Sequence, residues 1–242
     1  MNAGRISRRQ ALRLGTAALV VGAGSGLAGC GGGQEGQDAP QLRFVNATVD
    51  YSPADFWVDG LRGPTNVSSG GGFTGYGFVR EGSRPVGVGP SGGAATVTVQ
   101  RSFATGSFTT ALALMGSGGN EELRFLDENH SAAPAGSVRL RVLNATSASG
   151  YDVYVQSGAP SSSDTPLVAQ GYNSLSDFTD LPSGWRRVYI TNRNSLSVIF
   201  RSQEFNFPGR TVGSLVIVPV GASLAVVALQ EQGVAARLIH HA

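Results

Sequence analysis

Residues 42–60 read LRFVNATVDYSPADFWVDG, and residues 140–158 read LRVLNATSASGYDVYVQSG. Leu42, Arg43, Asn46, Ala47, Thr48 and Asp55 of the first stretch return as Leu140, Arg141, Asn144, Ala145, Thr146 and Asp152 of the second, at an offset of 98 that falls to 97 after a one-residue gap. A period of roughly 100 residues is too long for a solenoid and suits two copies of one small domain. Within each copy the pattern is that of strands. Ala54, Phe56 and Val58 alternate with Asp55, Trp57 and Asp59; Tyr151, Val153 and Val155 alternate with Asp152, Tyr154 and Gln156. A side-chain period of two sends each set to its own face of a sheet.

The rest of the chain agrees with this reading. Gly75-Tyr76 returns as Gly171-Tyr172. Each half closes on apolar runs, Phe108–Met115 with Leu123–Leu126 and Leu215–Val220 with Leu224–Leu229. Turn-forming residues cluster at Asp59-Gly60 and in 69–72, 90–93, 116–120, 157–164 and 182–184. Short runs between such turns, without a helical period, predict an all-β protein made of two tandem Ig-like antiparallel β-sandwich domains. The expected boundaries are 41–127 and 138–242, with 128–137 as the linker.

The N-terminus reads as an address. Arg5, Arg8, Arg9 and Arg13 precede an apolar stretch, Leu14–Ala28, and the only cysteine of the chain follows in Leu27-Ala28-Gly29-Cys30. The stretch is too short and glycine-rich for a spanning helix of roughly 20 residues, and it has the order of a lipoprotein signal peptide. Cleavage is expected between Gly29 and Cys30, with lipid (palmitate among its acyl chains) attached at Cys30 as a membrane anchor. Ser7–Arg13 also resembles the twin-arginine export pattern, with Ala11 where that pattern prefers an aromatic. Gly31 rather than Asp after the cysteine directs such proteins to the outer membrane in two-membrane cells. Residues 30–40 form a flexible tether, and ten such residues reach roughly 17 Å.

Composition bounds the function. The signal holds four of the 18 basic residues and none of the 16 acidic ones, which leaves 14 against 16 and a net charge of −2. No basic patch for nucleic acid survives that subtraction. With one cysteine, spent on the anchor, stability comes from the core rather than from disulfides.

The repeated segment resembles the bacterial domain-of-unknown-function family 4397. Phe44-Val45-Asn46-Ala47-Thr48, Ser52-Pro53-Ala54-Asp55 and Trp57-Val58-Asp59-Gly60 carry the resemblance. Val142–Thr146 and Asp152-Val153-Tyr154-Val155 carry it again, in a more divergent second copy without the Pro or the terminal Asp-Gly. The resemblance implies secreted or lipid-anchored envelope proteins with β-sandwich modules, and it implies no activity or cofactor.

Trp57 and Tyr154 are the leading candidates for ligand contact. Both lie on the strand face opposite the expected core, two residues after Asp55 and Asp152. Exposed aromatics beside acids stack on sugars or anchor a protein partner. The recurring aspartates also suit hydrogen bonding to backbone in the preceding turn. Gly89-Pro90-Ser91-Gly92-Gly93 fits G-x-S-x-G, but a glycine-rich loop leading into a strand is no nucleophile elbow. His130, His240 and His241 are the three histidines; the last two read as a frayed tail rather than a metal site. Asp50, Asp55 and Asp59 match no calcium-loop spacing. The two Asn-Ala-Thr segments read as polar strand ends. Trp185 reads as a turn-packing residue beside a solvated Arg186-Arg187 edge. The expected function is a non-enzymatic, lipid-anchored cell-envelope protein that acts as an interaction or structural module. Its partners are the membrane, through Cys30, and an envelope polysaccharide or surface protein. A carbohydrate-binding module using Trp57 and Tyr154 is the first alternative, and a serine hydrolase at Ser91 a remote one.

Overall fold

The structure, a computed structural model, describes residues 38–49, 51–116, 119–128, 131–147, 150–169, 171–231 and 236–242. The signal, Gly29, Cys30, most of the tether, Asp50 and His130 lie outside the described residues. The first module contains β1 (Gln41–Asn46), β2 (Ala54–Val58), β3 (Leu61–Arg62), β4 (Gly72–Phe73), β5 (Gly77–Phe78), β6 (Gly82–Pro90), β7 (Val97–Phe103), β8 (Phe108–Met115) and β9 (Glu121–Asp127). The second contains β10 (Ser137–Asn144), β11 (Tyr151–Gln156), β12 (Leu167–Ala169), β13 (Thr179–Pro182), β14 (Gly184–Asn192), β15 (Val198–Arg201), β16 (Phe205–Phe207), β17 (Val212–Val220), β18 (Ser223–Glu231) and β19 (Ala236–Ile239).

Each module is a two-sheet sandwich. The outer sheets run β3-β2-β6-β7 and β12-β11-β14-β15, the latter with β16 on β14. The inner sheets run β4-β1-β8-β9, with β5 also on β1, and β13-β10-β17-β18-β19. The expected all-antiparallel pairing needs one correction per module. β1 lies parallel to β8, and β10 parallel to β17. In each module the chain first returns to the inner sheet antiparallel, at β4 and β5 or at β13, and the parallel strand follows only after the last outer strands.

Glu128 is buried against Arg43 in the first module, and β10 begins at Ser137. The two modules also stack on each other. In β1, Leu42 and Phe44 enter the first sandwich core, while Val45 joins a different cluster. That cluster combines Val45, Leu112, Leu114 and Leu126 with Leu143, Val216, Val218 and Val227, residues of the two inner sheets. A third core therefore lies between the modules, and the molecule is a four-layer stack of outer, inner, inner and outer sheets. Equivalent positions meet across it: Val45 pairs with Leu112 in one inner sheet, as Leu143 pairs with Val216 in the other. Both faces of the inner sheets are covered, which explains the unbroken apolar runs of β8, β17 and β18.

Candidate functional site

The site is built on the outer sheet of the first module. Strand register sets Arg62, Trp57, Gly87 and Thr98 side by side in one row across β3, β2, β6 and β7. Trp57 lies outside the sandwich core that holds its neighbours Phe56 and Val58, so its facing agrees with the sequence pattern. Its exposure does not. Trp57 is only 9% exposed and Tyr154 only 5%. The guanidinium of Arg62 sits 5.3 Å from the Trp57 ring centroid and donates Nη2 to the Gly93 carbonyl. The β6–β7 loop thereby folds back over the sheet, a cover that strand alternation alone cannot reveal. What remains open is a cavity of about 450 Å³ lined by Trp57, Arg62, Pro85, Gly87, Ala95 and Thr98 among others.

Gly87 keeps this cavity open. A Cβ there would lie 3.1 Å from Ala95 Cβ and 3.2 Å from Thr98 Oγ1. The second module shows the alternative. Its corresponding row is Tyr154, Tyr189 and Arg201, with Tyr189 in the place of Gly87. Tyr154 and Tyr189 are both buried. Burial, with the nearby carboxylates of Asp152 and Asp164, pushes the Tyr154 phenol above its ordinary range. The two aromatics expected to act alike thus differ: Trp57 borders open space beside Gly87, and Tyr154 lies buried beside Tyr189.

Asp55 and Asp152 share a structural duty. Asp55 Oδ2 accepts the Gly92 amide at 3.0 Å, and Asp152 Oδ2 accepts the Asn194 amide at 2.8 Å. Each donor lies three residues beyond the aspartate's own register partner, Gly89 or Thr191, and each has a positive φ, 78° and 60°. The aspartates therefore cap the hairpin after the paired strand, not the turn before their own. Asp55 Oδ1 also accepts the Asn66 amide (2.9 Å) and the Ser91 hydroxyl (2.8 Å), with Arg62 Nε 3.7 Å from Oδ2. Burial raises the Asp55 pKa, but the Gly92 and Asn66 amides, Ser91 and Arg62 outweigh it and hold the carboxyl below its ordinary 3.8. Ser91 itself sits on the turn between two strands, and its hydroxyl is engaged by this carboxylate.

The other singled-out residues have structural places. Asn46 Oδ1 accepts from the Thr48 hydroxyl at 2.8 Å, and Asn144 Oδ1 from the Thr146 hydroxyl at 2.8 Å, so both Asn-Ala-Thr segments are buried strand-end turns. Asp59 lies 3.9 Å from Arg84. The C-terminal tail is tied down rather than frayed: His241 bridges to Ser202 and packs its ring edge-on to Phe200.

One constellation escaped the sequence reading. Arg43 Nε donates to Thr110 Oγ1 (2.7 Å), Thr110 donates to Glu128 Oε1 (2.6 Å), and Arg43 Nη2 lies 3.1 Å from the same oxygen. The second module repeats it: Arg141 Nε to Ser214 (2.8 Å), Ser214 to Glu231 (2.7 Å) and Arg141 Nη2 to Glu231 (2.8 Å). Arg43 stacks on Tyr76 at 4.7 Å and Arg141 on Phe178 at 4.5 Å. Phe178 is thus the counterpart of Tyr76. Tyr172, of the recurring Gly-Tyr pair, instead packs between the modules and donates to Glu122 at 3.1 Å. The available signal was the recurrence of an arginine at one position in two strands, each flanked there by apolar residues, Leu42 and Phe44 or Leu140 and Val142.

No curated protein matches the chain. The family model described as a domain of unknown function (DUF4397) matches residues 40–156, all of the first module together with β10 and β11, and supports placing this part of the chain in that family.

Proposed function

We propose that this chain is a non-enzymatic, lipid-anchored envelope protein whose rigid two-module head binds a saccharide ring of an envelope polysaccharide in the Trp57 cavity. The observation that carries the reading is the open space beside Trp57, kept by Gly87 in one module and closed by Tyr189 in the other. A cavity of about 450 Å³ takes a pyranose unit, with Trp57 lining it and Arg62, which lies over the indole, and Thr98 offering polar groups at the margin. The lipoprotein signal ending at Cys30 supports the location. We further propose that the second module is a second, divergent copy of the same family. It repeats the strand order, the aspartate cap and the Arg–hydroxyl–Glu group.

The test is retention of the lipidated full-length protein, in detergent, on insoluble envelope polysaccharide fractions. Wild type is expected to be retained on one fraction. Trp57→Ala and Gly87→Tyr are expected to lose that retention at least about tenfold, the cost of one stacking contact of roughly 1.4 kcal/mol. Equal retention of all three proteins, or none of wild type, overturns the saccharide reading.

A further inference from the structure

The end of the head from which the tether leaves carries the most exposed aromatic residues among those described. The two inner sheets run in the same sense. Asp127, level with Leu42 near the start of β1, accepts at its carbonyl from Arg141 in the middle of β10 at 2.8 Å. Near their far ends, Gly71, bonded to the Asn46 carbonyl, abuts Val218. Both strands therefore begin at one end of the stack, and the tether enters β1 there at Gln41. Phe78 pairs with Gln41 and is 67% exposed. Trp185 follows Pro182, the partner of Ser137 at the start of β10, and is 64% exposed. Trp185 does not pack a turn, as its sequence setting suggested.

The same end carries arginines. Arg210 donates its amide to the Ser137 carbonyl, Arg80 follows Phe78 by two residues, and Arg186 is adjacent to Trp185. None of the three is in an ion pair among the described residues, nor are Glu81 and Asp38 at this end, while the neighbouring Asp127 and Asp180 are held by Arg101 and Arg139, so the free charges there are three positive against two negative. Two exposed aromatics with three arginines outside the ion pairs, at the end where the chain enters β1, are the chemistry of a bilayer interface.

We propose that this end of the head docks on anionic phospholipid headgroups, with Phe78 and Trp185 entering the interface. The proposal rests on the lipid anchor at Cys30 to bring the head there. Trp57 and Trp185 are the two tryptophans of the chain, so each can be isolated as a reporter. The lipidated full-length protein with Trp57→Phe is reconstituted in phosphatidylethanolamine–phosphatidylglycerol vesicles with brominated acyl chains. Trp185 emission is expected to shift to the blue and to fall about twofold against unbrominated vesicles, an effect that weakens when phosphatidylglycerol is omitted. The Trp185→Phe protein, reporting Trp57, is expected to be unaffected. Vesicle-bound protein with unquenched Trp185 overturns the docking and leaves the anchor standing. A Cys30→Ala protein that stays in the membrane fraction of cells, and whose Trp185 is still quenched when it is added to the brominated vesicles, overturns the anchor and leaves the docking standing.

Discussion

Gly71 of the first module packs directly on Val227 of the second: a Cβ on the glycine would lie 2.6 Å from Val227 Cγ2 and 2.9 Å from Leu238 Cδ1. Its φ of 101° also excludes comfortable substitution by an L-residue. With the apolar layer of Val45, Leu112, Leu143 and Val216 behind it, this contact joins the modules into one unit. Gly71→Ala is expected to destabilise the protein by about 2–4 kcal/mol, from backbone strain plus overpacking. Urea unfolding of wild type should show one transition in which both modules melt together. Two separate transitions in wild type would contradict a shared core.

The paired buried groups predict an asymmetric response. Arg141 and Glu231 are both buried and share Ser214, so removing one partner leaves a charge without its counterion in the interior. Glu231→Ala is expected to cost about 3–5 kcal/mol, whereas Arg141→Met with Glu231→Leu should recover most of that loss. Chemical denaturation of both variants checks this. Similar losses in the single and double variants would mean that the network contributes more than charge balance.

The stack and its polar inserts were unequally legible in the sequence. Alternation in 54–58 and 151–156 gave the correct facing of Trp57 and Tyr154, because facing depends only on the period of a strand. Their burial depends on loops that fold back from elsewhere, Gly93 on Arg62 above all, and alternation carries no information about that. The inter-module core was present as unbroken apolar runs in β8, β17 and β18, the mark of sheets covered on both faces. The Arg43 and Arg141 groups were hidden because their glutamates sit at strand ends, about 85 and 90 residues away from the arginines in sequence.

Gly87 offers a direct test of the cavity's origin. Tyr189 occupies the corresponding place in the second module, where β14 pairs with β11 in unbroken register while its register with β15 shifts between Ile190 and Thr191. The close approach of Ala95 and Thr98 means that the β6–β7 loop must give way by a few tenths of an ångström or more. Gly87→Tyr is expected to cost about 1–3 kcal/mol while preserving the sheet. In that variant Trp57 fluorescence, read in a Trp185→Phe background, should lose accessibility to acrylamide. Unchanged quenching would place the tyrosine outside the cavity.

Asp55 predicts an acid dependence of definite sign. Its folded carboxyl lies below the ordinary 3.8, because the Gly92 and Asn66 amides, Ser91 and Arg62 together outweigh its burial. A group with a depressed folded pKa binds protons more readily when unfolded. Its stabilisation is therefore complete above the unfolded value and disappears as pH falls through the folded one. Asp55→Asn should cost about 1–3 kcal/mol at neutral pH, since the amides of Gly92 and Asn66 lose a charged acceptor. The same variant should flatten the fall of stability below pH about 4. Thermal melts of both proteins between neutral and acid pH read the two effects at once. A variant that keeps the wild-type acid slope would show that Asp55 does not titrate with unfolding, and that its role as a hairpin cap is carried by shape alone.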